Sequence, residues 1–224
     1  EFITLRRWPE SAAALNDLLT KPLRSQGSRI QALIFLAGVL GRYHRFEDAI
    51  HLYDHVLDAF TLDPRTDHAL KLGRAMSFLR NDQLFDADRA ISDLRRSLRR
   101  GKSVSEDAAG TPEEMIPRLS ESGGLALLEI YRDVKTGHPD EAIATFEKSI
   151  DDIRKQFGHR VGDAYALASR AYDLLDRETE AKAAFADATI LSPLQELLRR
   201  YPEVEAVAKK FTPTPAPYAG GPQT

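Results

Sequence analysis

His51 and His55 lie four residues apart, with Asp48, Asp54 and Asp58 close by. On a helix that spacing turns both imidazoles to one side, where they would offer a metal two nitrogen ligands. The glutamate that a metalloprotease helix places after its first histidine is missing, since Leu52 stands there. Tyr53 and Val56 claim the core face of the same helix, so both histidines are expected to face solvent. A second constellation is the basic run Arg95-Arg96-Ser97-Leu98-Arg99-Arg100-Gly101-Lys102. It would suit a phosphate or an acidic partner. It would equally suit a helix C-terminus, where the macrodipole favours cations, balanced by Glu106, Asp107, Glu113 and Glu114. Gly101-Lys102-Ser103 ends like a phosphate loop, but Arg96 occupies the place of the upstream glycine. No serine stands with a histidine and an acid in a nucleophile motif. The carboxylate pairs Asp151-Asp152 and Glu113-Glu114 are adjacent, which a helix turns to different sides. These residues imply no catalytic constellation, no metal site and no cofactor.

Composition narrows the class. The chain has 224 residues, a formal net charge of −3 and no cysteine. Cysteine catalysis, disulfides and thiolate zinc sites are thereby excluded, while the compartment stays unassigned, since either redox environment fits. A hydrophobic fraction of 42% with 29% charged residues fits a soluble, folded, helix-rich chain. No global basic excess recommends a nucleic-acid partner, and no aromatic interleaves the basic run. The longest apolar run, Ala32 to Leu40, is far short of the roughly 20 residues of a membrane span.

The elements that must position these residues follow a recurring pattern: a large apolar residue, a small residue three places on, and a second large apolar residue four places after that. It reads Trp8-Ser11-Leu15, Phe46-Ala49-Tyr53 and Leu84-Ala87-Ile91, then Pro139-Ala142-Phe146 and Glu178-Ala181-Phe185, whose first members depart from it. The small residues step by 38, 38, 55 and 39. A near-fixed period in this range signals helical hairpins stacked as a solenoid. Apolar periodicity predicts helices over 8–20, 28–42, 46–60, 66–80, 84–100, 123–136, 139–157, 161–175 and 178–191. The domain plan is a partial N-terminal repeat (1–27), two hairpins (28–100), an irregular insertion (101–122), two further hairpins (123–193), a capping segment (194–210) and a Pro/Gly-rich tail (211–224) expected to be disordered. Thr111-Pro112-Glu113-Glu114 offers a helix start inside the insertion. The chain begins at Glu1, and a second-helix pattern follows after only seven residues. Both features are read as a chain that starts inside a repeat of a larger parent.

Small residues at a helix crossing, locked by large ones, resemble the tetratricopeptide repeat. The best copy is Tyr165, Ala168, Tyr172, Ala181, Phe185, Ala188 and Pro193, and a good one is Leu36-Ala37, Leu40, Ala49, Tyr53 and Val56. The resemblance covers roughly residues 8–193. The period exceeds the family's usual value of about 34 by one helical turn, as in the kinesin-light-chain-like branch, whose flavour is carried by Phe146-Glu147-Lys148-Ser149-Ile150 and Gln156-Phe157-Gly158-His159. The resemblance implies an all-α fold: a right-handed α-α superhelix of four to five hairpins with a C-terminal cap. It also implies a non-enzymatic scaffold that takes a peptide or helix of a partner protein in a concave groove. The asparagines of the family's chaperone-tail clamp are absent from the first helices, since Asn16 and Asn81 are the only two in the chain. The expected groove floor is Ile34, Phe35, Leu72, Met76, Leu127 and Tyr131. Its basic rim is Arg42, Arg80, Lys135 and Arg170, which suits an acidic peptide. Alternatives are a homo-oligomer, in which helix 8–20 completes another copy's repeat, and a regulatory segment of a larger enzyme or signalling protein.

Overall fold

A computed structural model describes residues 7–21, 25–106 and 112–212, and gives the backbone alone for 100–106, 112–122 and 159. The expectations for residues 1–6, 22–24, 107–111 and 213–224, including nearly all of the C-terminal tail, lie outside the described residues. The fold is all-helical, with no strand among the described residues. Its helices are α1 (Trp8–Thr20), α2 (Gln26–Arg42), α3 (Phe46–Ala59), α4 (Pro64–Arg80), α5 (Leu84–Glu106), α6 (Pro112–Thr136), α7 (Pro139–Gln156), α8 (Val161–Leu174), α9 (Glu178–Leu191), α10 (Leu194–Arg200) and α11 (Glu205–Phe211). Short 3-10 turns, Gly158–Arg160 and Pro202–Val204, precede α8 and α11.

The small residues of the sequence pattern are buried. Ala49, Ala87, Ala142 and Ala181 have no exposed surface, and Ser11 retains 2%. A methyl or hydroxymethyl group lets a neighbouring helix come close, and the large partners fill the space beside it. Ile91 is fully buried, and Leu15, Phe146 and Phe185 nearly so.

The turns between paired helices share one geometry as well. His44, Asp82, Gly137 and Asp176 all adopt positive φ, at 58°, 57°, 77° and 56°. Each lies five residues before its small residue. The next N–H donates back across the turn: Arg45 to Leu40, Gln83 to Phe78, His138 to Asp133 and Arg177 to Tyr172, at 2.8–3.0 Å. This is the long hydrogen bond of a Schellman motif, which satisfies a carbonyl that the helix end leaves open. Left-handed backbone disfavours side chains, so Asp176→Gly is expected to stabilise by up to about 1 kcal/mol and Gly137→Ala to cost about 1 kcal/mol. Urea-unfolding midpoints of the two variants should therefore move in opposite directions.

The stretch 101–122 departs from the irregular insertion expected of it. Helix α5 runs on to Glu106 and α6 starts at Pro112, so the helices have 23 and 25 residues against 14 and 17 in α3 and α4. The longer step between Ala87 and Ala142 is thus mostly helix. Gly101 costs a helix only about 1 kcal/mol; Pro112 stands in a first helical turn, where it is tolerated, and Pro117 stands one turn further into α6, where its missing N–H removes one bond of the helical ladder.

The chain divides into two compact units, Glu1–Arg132 and Asp133–Thr224. In the first, α1 packs on α2, α2 on α3, α3 on α4 and α4 on α5. Leu15, Ala32 and Val39 make one cluster, with Trp8, Ala12, Leu19 and Leu36 against it. Leu33, Val56 and Leu70 make another, joined by Ile30, Ile34, Leu52 and Leu57. Arg74 pairs with Asp54 across α4 and α3 at 2.7 Å, and Arg95 with Glu129 across α5 and α6 at 2.5 Å.

Asp63 caps α4, accepting the backbone N–H of Arg65 at 3.1 Å and of Thr66 at 3.0 Å. Hydrogen bonds from Thr66, side chain first and then backbone, hold its carboxyl below the usual carboxylate range. A group lowered on folding stabilises the fold above its unfolded value and loses that contribution as pH falls through its folded value. Asp63→Ala should therefore be less stable than the parent at neutral pH, with the gap closing in acid. A pH-independent gap in denaturation midpoints would contradict this.

In the second unit α8 is buried almost all round, between α7, α9 and the C-terminal segment. The buried Ser169 hydroxyl donates to the Ala181 carbonyl at 2.8 Å, fixing the α8–α9 crossing. Leu197, Tyr201, Val204 and Val207 have no exposed surface. The segment 194–210 packs against α8 and α9.

Candidate functional site

Most of the expected groove residues serve the fold. Leu127 and Tyr131 are buried, at 6% and 1% exposure, and Ile34 packs against the Leu33–Val56–Leu70 cluster. Leu72 and Met76 are half-buried on α4, while Phe35 on α2 is 42% exposed. The rim cations have work elsewhere. The Arg42 guanidinium lies over the Trp8 ring, 5.2 Å from its centroid. Arg80 is half-buried and engaged. Lys135 pairs with Glu203 at 3.0 Å and Arg170 with Asp173 at 2.7 Å. The ten residues are also divided between the units, with Lys135 and Arg170 in the second. What is left of the expected floor is Phe35 with the half-buried Leu72 and Met76.

The other constellations resolve in the same way. His51 and His55 are exposed, as expected, and His55 packs edge-on against Phe60. Asp48 and Asp54 pair with Arg45 and Arg74 instead of turning to the histidines. Among the described residues no three histidine, aspartate or glutamate side chains gather as metal ligands. The basic run does not end a helix, because α5 continues past it; Arg95 is spent on Glu129 and Arg96 pairs with Asp93. The stripe of α1 (Trp8, Ala12, Leu15, Leu19) packs on α2 of its own chain. Among the described residues no helix is long and apolar enough to cross a membrane.

The second unit carries a cleft that the sequence did not single out. Helix α9 buries Ala181, Ala184, Phe185 and Ala188. Ile190 falls off that stripe, and Leu191 follows it at the helix end. They are 81% and 51% exposed. Beside them opens a cleft of about 330 Å³, lined by Arg154, Gly158, Val161, Tyr165, Asp187, Ile190 and Leu191. Gly162 permits the close approach that forms it, since a Cβ there would lie 2.6 Å from Ser192 Oγ and 3.2 Å from Leu191 Cβ. Gly162→Ala should therefore cost about 1–3 kcal/mol by overpacking, read from the urea midpoint. The Tyr165 ring meets Phe146 edge to face, with centroids 5.3 Å apart, and its hydroxyl accepts from Arg154 Nη2 at 3.0 Å. Arg154 Nη1 donates to Asp151 at 2.7 Å. Asp187 is exposed and makes no hydrogen bond or ion pair with any described residue. The cleft thus joins a fixed aromatic wall, two exposed aliphatic side chains and one uncompensated carboxylate. An off-stripe Ile in an otherwise amphipathic helix was the available signal for it.

A second cleft, of about 260 Å³, lies between α4 and α5 of the first unit. Its lining is mainly charged: Arg74, Asp86, Arg89 and Asp93, with Phe78 and Ala90. Comparison with protein-family models, with curated proteins and with solved structures finds no match to this chain.

Proposed function

We propose that this chain is a non-enzymatic protein-interaction scaffold. Its hairpins are tetratricopeptide-like repeats stacked with right-handed sense, and its docking site is the α7–α9 cleft of the second unit. The observation that carries the docking role is the exposure of Ile190 and Leu191 beside a preformed cleft. Exposed aliphatic side chains gain most when a partner covers them, at about 25 cal/mol per Å² of apolar surface, and a cleft already formed requires little rearrangement. The shared turn geometry and the buried small residues support the repeat reading, because a rigid array keeps such a site in shape.

The test selects linear peptides from a random display library on the intact chain, then compares the parent with an Ile190→Asp, Leu191→Asp double variant. Both positions are exposed, so the variant should keep its unfolding midpoint and lose the selected peptides by at least tenfold, the loss of roughly 1.4 kcal/mol. Equal binding to both proteins would contradict the assignment.

A further inference from the structure

The charges around the cleft specify its partner more closely than its shape does. An acidic peptide was expected from the basic rim, yet Lys135, Arg170 and Arg42 are engaged by Glu203, Asp173 and the Trp8 ring. Within the cleft itself, Arg154 is satisfied by Asp151 and the Tyr165 hydroxyl. Asp187 lines the same cleft without a hydrogen bond or ion pair to any described residue, and it lies three residues before Ile190, which is 81% exposed. We propose that the cleft takes a partner-protein segment in which a large apolar side chain stands next to a Lys or Arg. The apolar group covers Ile190 and Leu191 against the Tyr165 wall, and the cation meets Asp187. The inference rests on the docking role proposed above and adds the sign of the partner's charge to it.

An apolar side chain alone would bind without regard to flanking charge. A neighbouring cation gains the attraction of Asp187, whereas a neighbouring carboxylate is repelled by it, and both effects weaken as salt screens them. One exposed ion pair corresponds to about fivefold in affinity.

Two capped nine-residue peptides serve as probes, alike in a central pair of leucines and differing only in Arg or Glu on either side. Methyl-detected NMR of the full chain follows Ile190, Leu191 and Val161 during titration. The Arg-flanked peptide is expected to shift these methyls and to bind about fivefold more tightly at low salt, with Asp187→Lys reversing the order. Cleft shifts from both peptides with equal affinity, a preference for the Glu-flanked one, or an order unchanged by Asp187→Lys would overturn the partner's chemistry and leave the docking role standing. Silence at Ile190 and Leu191 with both peptides would overturn the docking role too. Shifts that grow with the chain's own concentration would assign the cleft to a second copy and overturn the proposal.

Discussion

Asp163→Ala is expected to destabilise the second unit by about 3–5 kcal/mol, the cost of breaking a buried ion pair by removing one partner. The carboxylate has no exposed surface. It accepts from Arg160 Nη1 at 2.7 Å and from the Tyr201 hydroxyl at 3.1 Å, and Arg200 Nη1 holds its other oxygen. Arg200 and Tyr201 come from the capping segment, so one acid at the start of α8 fastens the C-terminal cap. Without it two guanidinium groups face each other, that of Arg200 only 15% exposed, and a buried phenol loses its acceptor. Arg200→Met in the Asp163→Ala background should recover part of the loss, because it removes a stranded charge. Urea unfolding of the two variants provides the measurement. A loss below about 1 kcal/mol, the size of an exposed pair, would mean that Asp163 does not hold the cap.

The second large effect concerns the small residues. Ala181→Leu should cost about 3 kcal/mol or abolish folding of the α8–α9 pair, because Ala181 has no exposed surface and its carbonyl accepts the buried Ser169 hydroxyl. Ala186→Leu, in the same helix and with the same change in volume, faces solvent. It should stay within about 0.5 kcal/mol of the parent. The contrast separates crowding at the crossing from helix propensity, which is identical for the two. Equal midpoints would show that the recurring small residue has no packing role.

Which parts of this were readable in the sequence follows from the range of the interactions involved. The positions of α1 to α5 and α7 to α9 follow from apolar stripes, a pattern that acts within a few residues of itself. The small-residue pattern picked out Ala49, Ala87, Ala142 and Ala181, all of which have no exposed surface. Where the expected groove residues fall in the fold is set by packing beyond the local pattern. A helix apolar nearly all round, such as α2, has no unique buried face, so Ile34 and Phe35 could not be told apart until α3 and α4 were in place. Lys135 meets Glu203, and Asp163 meets Arg200, across 68 and 37 residues of chain. No local pattern announces such pairs. Helix α5 runs through Gly101, where the irregular insertion was expected to begin, to Glu106. Ile190 was legible only as a residue out of step with its own helix.

The central claim, that the α7–α9 cleft is where this scaffold engages a protein segment, is tested most directly by where a selected peptide binds. The methyl spectrum of the full chain, recorded with and without a display-selected peptide, should change at Ile190, Leu191 and Val161 while Leu72 and Met76 stay still. Changes confined to α2 and α4, around Phe35 and Met76, would contradict the account and return the site to the groove that the sequence first suggested.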